Sequence, residues 1–183
     1  MLIGITGTNG AGKGIAVNYL VQKGFTHYSV REEIVAEMEK KGLPHNRTNM
    51  NEVGTELRSL HGADYFARIF IERAHHEGIT DVVIESIRTP YEAMTIKKTG
   101  GKILAIDADV QLRYERIVAR DSATDRVTFE EFQKQEAREM NSEDMDNPAK
   151  IDINAVLTQA DVIIMNEGTL EDFHQHLDKV LKN

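Results

Sequence analysis

The residues best equipped for chemistry stand together near the start of the chain, in the run Gly7-Thr8-Asn9-Gly10-Ala11-Gly12-Lys13. The spacing G-x-x-x-x-G-K, set between a short apolar run and a helix-period segment, describes a loop that cradles phosphate. Glycines let the backbone approach an anion closely, so that several N–H groups point at it from a helix N-terminus, where the helix dipole adds attraction. Lys13 supplies a point charge for the outer phosphates of a nucleotide. Thr8, Asn9, Gly10, Ala11, Gly12, Lys13, Gly14 and Ile15 are therefore the expected nucleotide-binding residues. The position after the lysine usually carries a hydroxyl that ligates magnesium, and here Gly14 and Ile15 offer none. Magnesium would then rest on phosphate oxygens, water and a carboxylate elsewhere. Glu85, at the carboxyl end of Asp81-Val82-Val83-Ile84-Glu85, is the expected holder, through water.

Arginine dominates the remaining inventory, and guanidinium pairs bidentately with phosphate. Arg31 follows the second apolar run and Arg88 the third, where the anionic group of an acceptor would lie, and Arg58 in the intervening helical stretch is a further candidate. Arg113, Arg116 and Arg120 recur at helical spacing and would project together. With Arg126 they lead into a polar segment, and Arg116, Arg120 and Arg126 are the expected stabilisers of charge on a transferring phosphoryl group. The histidines lack ligand spacing: His75 and His76 are adjacent, and His174 and His176 are two apart.

Composition narrows the field. The 183 residues carry 22 Lys and Arg against 30 Asp and Glu, a formal net charge of −8 that repels nucleic acid and anionic membrane as a whole. Bound anions must be held by a local site. The absence of cysteine excludes a disulfide framework, a thiol nucleophile and a cysteine-ligated zinc site. No apolar run approaches the ~20 residues of a membrane helix. A cytoplasmic location is the expectation.

Elements that would position these groups alternate along the chain, short β-like runs with helix-period segments, and this implies parallel βαβ units. Strands are expected at 2–6, 25–30, 81–85, 102–108 and 161–165. The first helix, over 12–23, should place Ile15, Ala16, Tyr19 and Leu20 on one face. Residues 31–78 read as a helical insertion. Asp109 should cap the helix through Arg120, and Thr128-Phe129-Glu130-Glu131 is a capping box that starts a short surface helix inside a mobile flap over 121–150. Phe173, Leu177, Val180 and Leu181 form the buried stripe of a closing helix. The predicted fold is a three-layer α/β/α P-loop fold over 1–183, with a five-stranded parallel sheet, a helical acceptor-binding insertion and a short lid.

Several separated motifs resemble the nucleoside monophosphate kinase superfamily, and most closely a largely archaeal branch of P-loop proteins related to dephospho-CoA kinase. Ser29-Val30-Arg31-Glu32-Glu33 looks like the segment whose arginine holds the acceptor phosphate in adenylate kinases, with His27-Tyr28 in place of the usual Gly-Asp. Val83-Ile84-Glu85-Ser86-Ile87-Arg88 is similar to the strand that ends in Asp-Gly before an arginine. Tyr114-Glu115-Arg116-Ile117-Val118-Ala119-Arg120 resembles the helix that opens the lid, which would be the short, metal-free type. The segment from Ala160 to Leu170 resembles the strand and loop near the adenine base in dephospho-CoA kinases, which adds Asn166 and Gly168 to the nucleotide-binding set.

The resemblance implies an ATP- and Mg2+-dependent phosphotransferase that moves the γ-phosphate to a small phosphorylated acceptor, foremost a nucleoside monophosphate. A phosphate acceptor is already ionised near neutral pH, so arginines suffice and no general base is required. A dephospho-CoA kinase-like transfer to a hydroxyl is the alternative, although His27-Tyr28-Ser29 lacks the carboxylate that such chemistry places there. A nucleotide-binding regulator with little turnover is the reading from another class. Nucleic acid and membrane are not expected partners.

Overall fold

The computed structural model describes residues 1–120, 127–141 and 147–182. Five strands, β1 (Leu2–Gly7), β2 (Thr26–Ser29), β3 (Val82–Glu85), β4 (Lys102–Asp107) and β5 (Val162–Met165), form one all-parallel sheet in the order β2-β3-β1-β4-β5. Helices connect them: α1 (Lys13–Gln22), α2 (Val30–Lys40), α3 (Arg47–His61), α4 (Tyr65–Glu77), α5 (Pro90–Lys98), α6 (Val110–Arg120), α7 (Phe129–Met140), α8 (Ile153–Leu157) and α9 (Leu170–Lys182).

Strand periodicity explains the three layers. Val82 and Ile84 enter a core shared with Phe66, Phe70 and Ile96, whereas Val83, between them, enters the opposite core with Ile3, Ile5, Leu20 and Phe173. Alternate residues of a strand point to opposite faces, so a fully apolar run requires cover on both sides. Gly4 allows the closest of these contacts, since a Cβ there would stand 2.6 Å from Cδ1 of Ile96.

Helix starts follow the local chemistry. Ser29 caps α2 by accepting from the Glu32 amide at 3.2 Å, and Asn46 caps α3 through the Asn49 amide at 2.9 Å. Asp109 accepts from the amides of Gln111 and Leu112, as the sequence predicts for the start of α6. Thr128 and Glu131 form the expected capping box of α7, and Thr89 with Glu92 forms a second one that opens α5 ahead of Pro90. Each satisfies backbone N–H groups that would otherwise lack partners.

Two expectations need correction. Ile15 is exposed and departs from the face it was expected to share with Ala16 and Leu20, which are buried together with Val17. The helix of the polar segment is docked rather than superficial. Phe132 and Glu139 of α7 are buried, and Phe132 lies beneath the Arg113 guanidinium at 5.7 Å. Helix α8 has no counterpart in the predicted elements. Among the described residues, no helix is long and apolar enough to cross a membrane.

Candidate active site

Topology assembles the site. The central strand β1 has β3 and β4 on either side, so the carboxyl ends of all three meet at one rim, where ligands of open parallel sheets gather. Gly7 lies opposite Ile106, and its left-handed φ of 127° lets the chain turn out of the sheet; a Cβ there would sit 1.9 Å from the Ile106 carbonyl oxygen. The loop that follows ends at Gly12, also at positive φ, which leads directly into α1.

Lys13 folds back over this loop, and its Nζ donates to the carbonyls of Gly7 at 3.1 Å and Thr8 at 2.6 Å. Arg88, just past β3, donates from Nη1 to the same Gly7 oxygen at 3.0 Å. Burial and then the Arg88 charge lower the Lys13 pKa from 10.5 to about 7, with Arg47 acting in the same direction and Glu139 and Glu85 opposing. Burial also lowers the Arg88 pKa, opposed by Glu139. Two cations crowd one carbonyl at the mouth of an amide-lined loop. An anion held there would relieve both.

The back of the loop is clasped from distant elements. Asn166, buried after β5, donates from Nδ2 to the Ala11 carbonyl at 2.8 Å, and its own carbonyl accepts from Nη2 of Arg116 at 2.9 Å. Nη1 of Arg116 is buried without a hydrogen-bond partner, an orphan donor beside the loop that suits an anionic ligand. Arg113 is buried as well; it donates to the carbonyls of Ala108 and Asn9 and forms a bidentate pair with Glu136 of α7. Thr8 Oγ1 donates to Asp107 at 2.5 Å, which fixes the loop against the end of β4.

Glu85 stands where the sequence predicts. It pairs in register with Ser29 across β2 and β3, accepts from Ser29 Oγ at 2.8 Å and lies 3.7 Å from Nε2 of His27. Its charge reaches Lys13. One carboxylate oxygen engaged by Ser29 leaves the other able to hold a water of a magnesium shell. Among the described residues no cluster of three or more His, Cys, Asp or Glu could hold a metal by itself.

The remaining candidates divide. Arg31 is exposed on the first turn of α2, and Arg120 is exposed at the end of α6. Gly168 is exposed between β5 and α9. Arg126 lies outside the described residues. Arg58 is a correction: only 2% exposed, it pairs with Glu92 at 2.8 and 3.4 Å and packs over Phe66, so its charge is committed to the fold. Glu92 is needed there because its Oε2 also accepts the amides of Arg88 and Thr89.

Sequence reasoning overlooked three residues. Arg47 and Asn51 of α3 both donate to Oε1 of Glu139 on α7, at 2.8 and 3.2 Å. Burial alone would raise the Glu139 pKa, but the charges of Arg88 and Arg47, with the two hydrogen bonds, hold it down at about 2. The signal was spacing: Arg47 and Asn51 are four apart and Glu136 and Glu139 three apart, so each pair shares a helix face.

No family profile matches the chain. A UPF0200 protein of Methanococcus maripaludis strain C7 is 30% identical over 185 residues, which cover 100% of this chain and 96% of that protein. The chain belongs to the UPF0200 family. Another UPF0200 protein, from Thermococcus kodakarensis, is 27% identical over 187 residues, with 99% and 96% covered. Among solved structures, this UPF0200 chain is similar to TT1252 from Thermus thermophilus, with a TM-score of 0.65 at 20% identity over 100% of this chain and 96% of that one. It is also similar to shikimate kinase from Bacteroides thetaiotaomicron (TM-score 0.58, 17% identity, 100% and 99% covered). Shikimate kinase from Acinetobacter baumannii in complex with shikimate gives 0.59 at 15% identity, with 99% and 92% covered. These likenesses show that the UPF0200 chain has the three-layer fold of P-loop kinases.

Proposed function

We propose that this protein is an ATP-dependent phosphotransferase that transfers the γ-phosphate to a small phosphorylated acceptor, with a nucleoside monophosphate as the leading class. The observation that carries the reading is the convergence of Lys13 and Arg88 on the Gly7 carbonyl, at the point where an amide-lined loop meets the rim of the sheet. One cation comes from the loop and the other from the segment just past β3, so a phosphoryl group between them would be held from the donor and the acceptor side.

In this reading the loop amides from Thr8 to Ile15 orient the nucleotide phosphates, Lys13 and Arg116 neutralise charge on the transferring group, and Arg88 and Arg31 hold the acceptor. Arg120 from the end of α6 and Arg126 from the lid over 121–150 add charge, and 31–78 forms the acceptor side. Asn166 fixes the loop, and with Gly168 it bounds the nucleotide pocket. Magnesium, when bound with ATP, neutralises phosphate charge, and Glu85 would hold it through water. Phosphoryl transfer asks mainly for positioning and charge stabilisation, which this inventory supplies.

Transfer to a hydroxyl, as in dephospho-CoA kinases, is a second reading. It is favoured by Glu85, a carboxylate beside Lys13 that could accept the hydroxyl proton. The test is ADP release from MgATP with ribo- and deoxynucleoside monophosphates, dephospho-CoA and shikimate as acceptors. Stimulation by a monophosphate supports the leading reading, and stimulation by dephospho-CoA or shikimate alone replaces it with the second. ATP binding without any acceptor-dependent ADP release would turn both aside in favour of a nucleotide-binding regulator.

A further inference from the structure

The ion cluster of Arg47, Asn51 and Glu139 lies outside the roles assigned above. Its three members come from two helices, α3 and α7, and the charges of Arg47 and Glu139 reach Lys13 of the phosphate loop. Glu139 is 5% exposed, and among the described residues it is held by two side chains, Arg47 at 2.8 Å and Asn51 at 3.2 Å. Glu92 offers an instructive contrast, because that buried carboxylate caps α5 as well as pairing with Arg58 and so belongs to the backbone framework. Glu139 has no such duty. Beyond its ion pair with Arg47 it also feels the charge of Arg88, and its own charge reaches Lys13.

Burying a carboxylate among guanidinium groups costs several kcal/mol of desolvation per ion, and apolar packing would serve stability as well or better. The arrangement has a different logic if the carboxylate occupies a place made for another oxyanion. Arg47, Arg88 and Lys13 carry three formal positive charges, against which Glu139 and Glu85 set two. A phosphate group, with about two negative charges near neutral pH and three acceptor oxygens, would satisfy the same donors more completely.

We infer that Arg47, Asn51 and Arg88 form the subsite for the oxyanion group of the acceptor, and that the Glu139 carboxylate is a built-in stand-in that the acceptor displaces. The inference deepens the phosphotransferase reading and rests on it for the identity of the ligand as an acceptor. It also gives α7 a task. Phe132 and the Glu136–Arg113 pair anchor the first part of the helix to the donor side, while Glu139, on its last turn, senses the acceptor side. In the empty acceptor site the carboxylate thereby offsets part of the positive charge of Arg47 and Arg88.

Inorganic phosphate is the probe. Titrated by calorimetry into the full chain, it should bind Glu139→Gln at least tenfold more tightly than wild type, and the added Arg47→Ala should abolish that gain. Equal affinities in wild type and Glu139→Gln would overturn the inference. So would a gain that survives Arg47→Ala, since that places the ion at the phosphate loop alone. Amide exchange of the wild-type protein needs no variant: phosphate should speed exchange over residues 134–140, and slowed or unchanged exchange there counts against displacement. The two readings separate cleanly. A tenfold gain without acceptor-dependent ADP release keeps the oxyanion subsite and removes the kinase, whereas transfer with unchanged phosphate affinity keeps the kinase and removes the stand-in.

Discussion

Lys13 Nζ and Arg88 Nη1 donate to one and the same acceptor, the carbonyl oxygen of Gly7, at 3.1 and 3.0 Å. Like charges held so close, both partly withdrawn from water, make each other's protonated form less stable. The phosphate loop is thus electrostatically loaded before any nucleotide arrives, and this governs the first expected behaviour.

With its pKa near 7, Lys13 is largely neutral in the free protein at alkaline pH. A bound phosphate restores the charge, so ATP binding at about pH 8.5 should take up close to one proton from solution. Calorimetry in buffers of different ionisation enthalpy measures this uptake, and it should vanish in Lys13→Ala. The sign for folding follows the same shift. Between about 7 and 10.5 the unfolded chain binds more protons at this lysine, so its contribution makes stability rise with pH across that window.

Lys13→Ala should also lower kcat/KM for phosphoryl transfer by on the order of a hundredfold, through loss of charge stabilisation at the transferring group. Arg31→Ala should chiefly raise the acceptor KM and Arg120→Ala chiefly depress kcat. Steady-state kinetics distinguish these patterns, and matching defects in the two arginine variants would refute the division of roles.

Arg58→Met should destabilise the fold by about 3 kcal/mol, because it strands the Glu92 carboxylate in a buried setting while Glu92 still caps α5. Denaturant unfolding gives the value. Nucleotide affinity should stay near that of wild type in the folded variant, since Arg58 serves the framework.

The Arg58 result shows where sequence reading loses its grip. The sheet, its parallel sense and the loop were legible because short apolar runs alternating with helix-period segments and the Gly-Lys spacing are local patterns. Arg58 and Arg88 look alike in sequence, and only the fold reveals that Glu92 captures the first while the second reaches the loop. Glu139 shares a helix face with Glu136, but nothing local ties it to its partner Arg47, 92 residues away. Pairing across such distances leaves no periodic trace.

Ser86 follows Glu85 with φ of 63°, the left-handed region that glycine adopts freely. Ser86→Gly should relieve about 1 kcal/mol of backbone strain and raise Tm by about 3 °C. Thermal unfolding checks it, with Ser86→Val expected to move in the opposite direction.

Gly14 occupies the first turn of α1 at ordinary backbone angles, and a Cβ there would meet nothing within 4 Å. Gly14→Ser should stabilise the helix by about 0.5 kcal/mol. The new hydroxyl sits where P-loops carry a magnesium ligand, so the magnesium concentration for half-maximal transfer should fall. A fall in Gly14→Ser but not in Gly14→Ala assigns the effect to the hydroxyl.

The Asn166 clasp on Ala11 joins residues 155 positions apart, and Arg88 reaches Gly7 across 81. During synthesis the glycine-rich loop leaves the ribosome before the groups that hold its shape, Arg88 after β3 and Asn166 after β5. A growing chain therefore carries a nucleotide-binding sequence without a nucleotide-binding site. Such long-range closure slows folding and leaves the apolar central strand waiting for its partners. ATP can favour the native state only after β5 is in place, so ligand rescue of folding should act on the finished chain and not on its fragments.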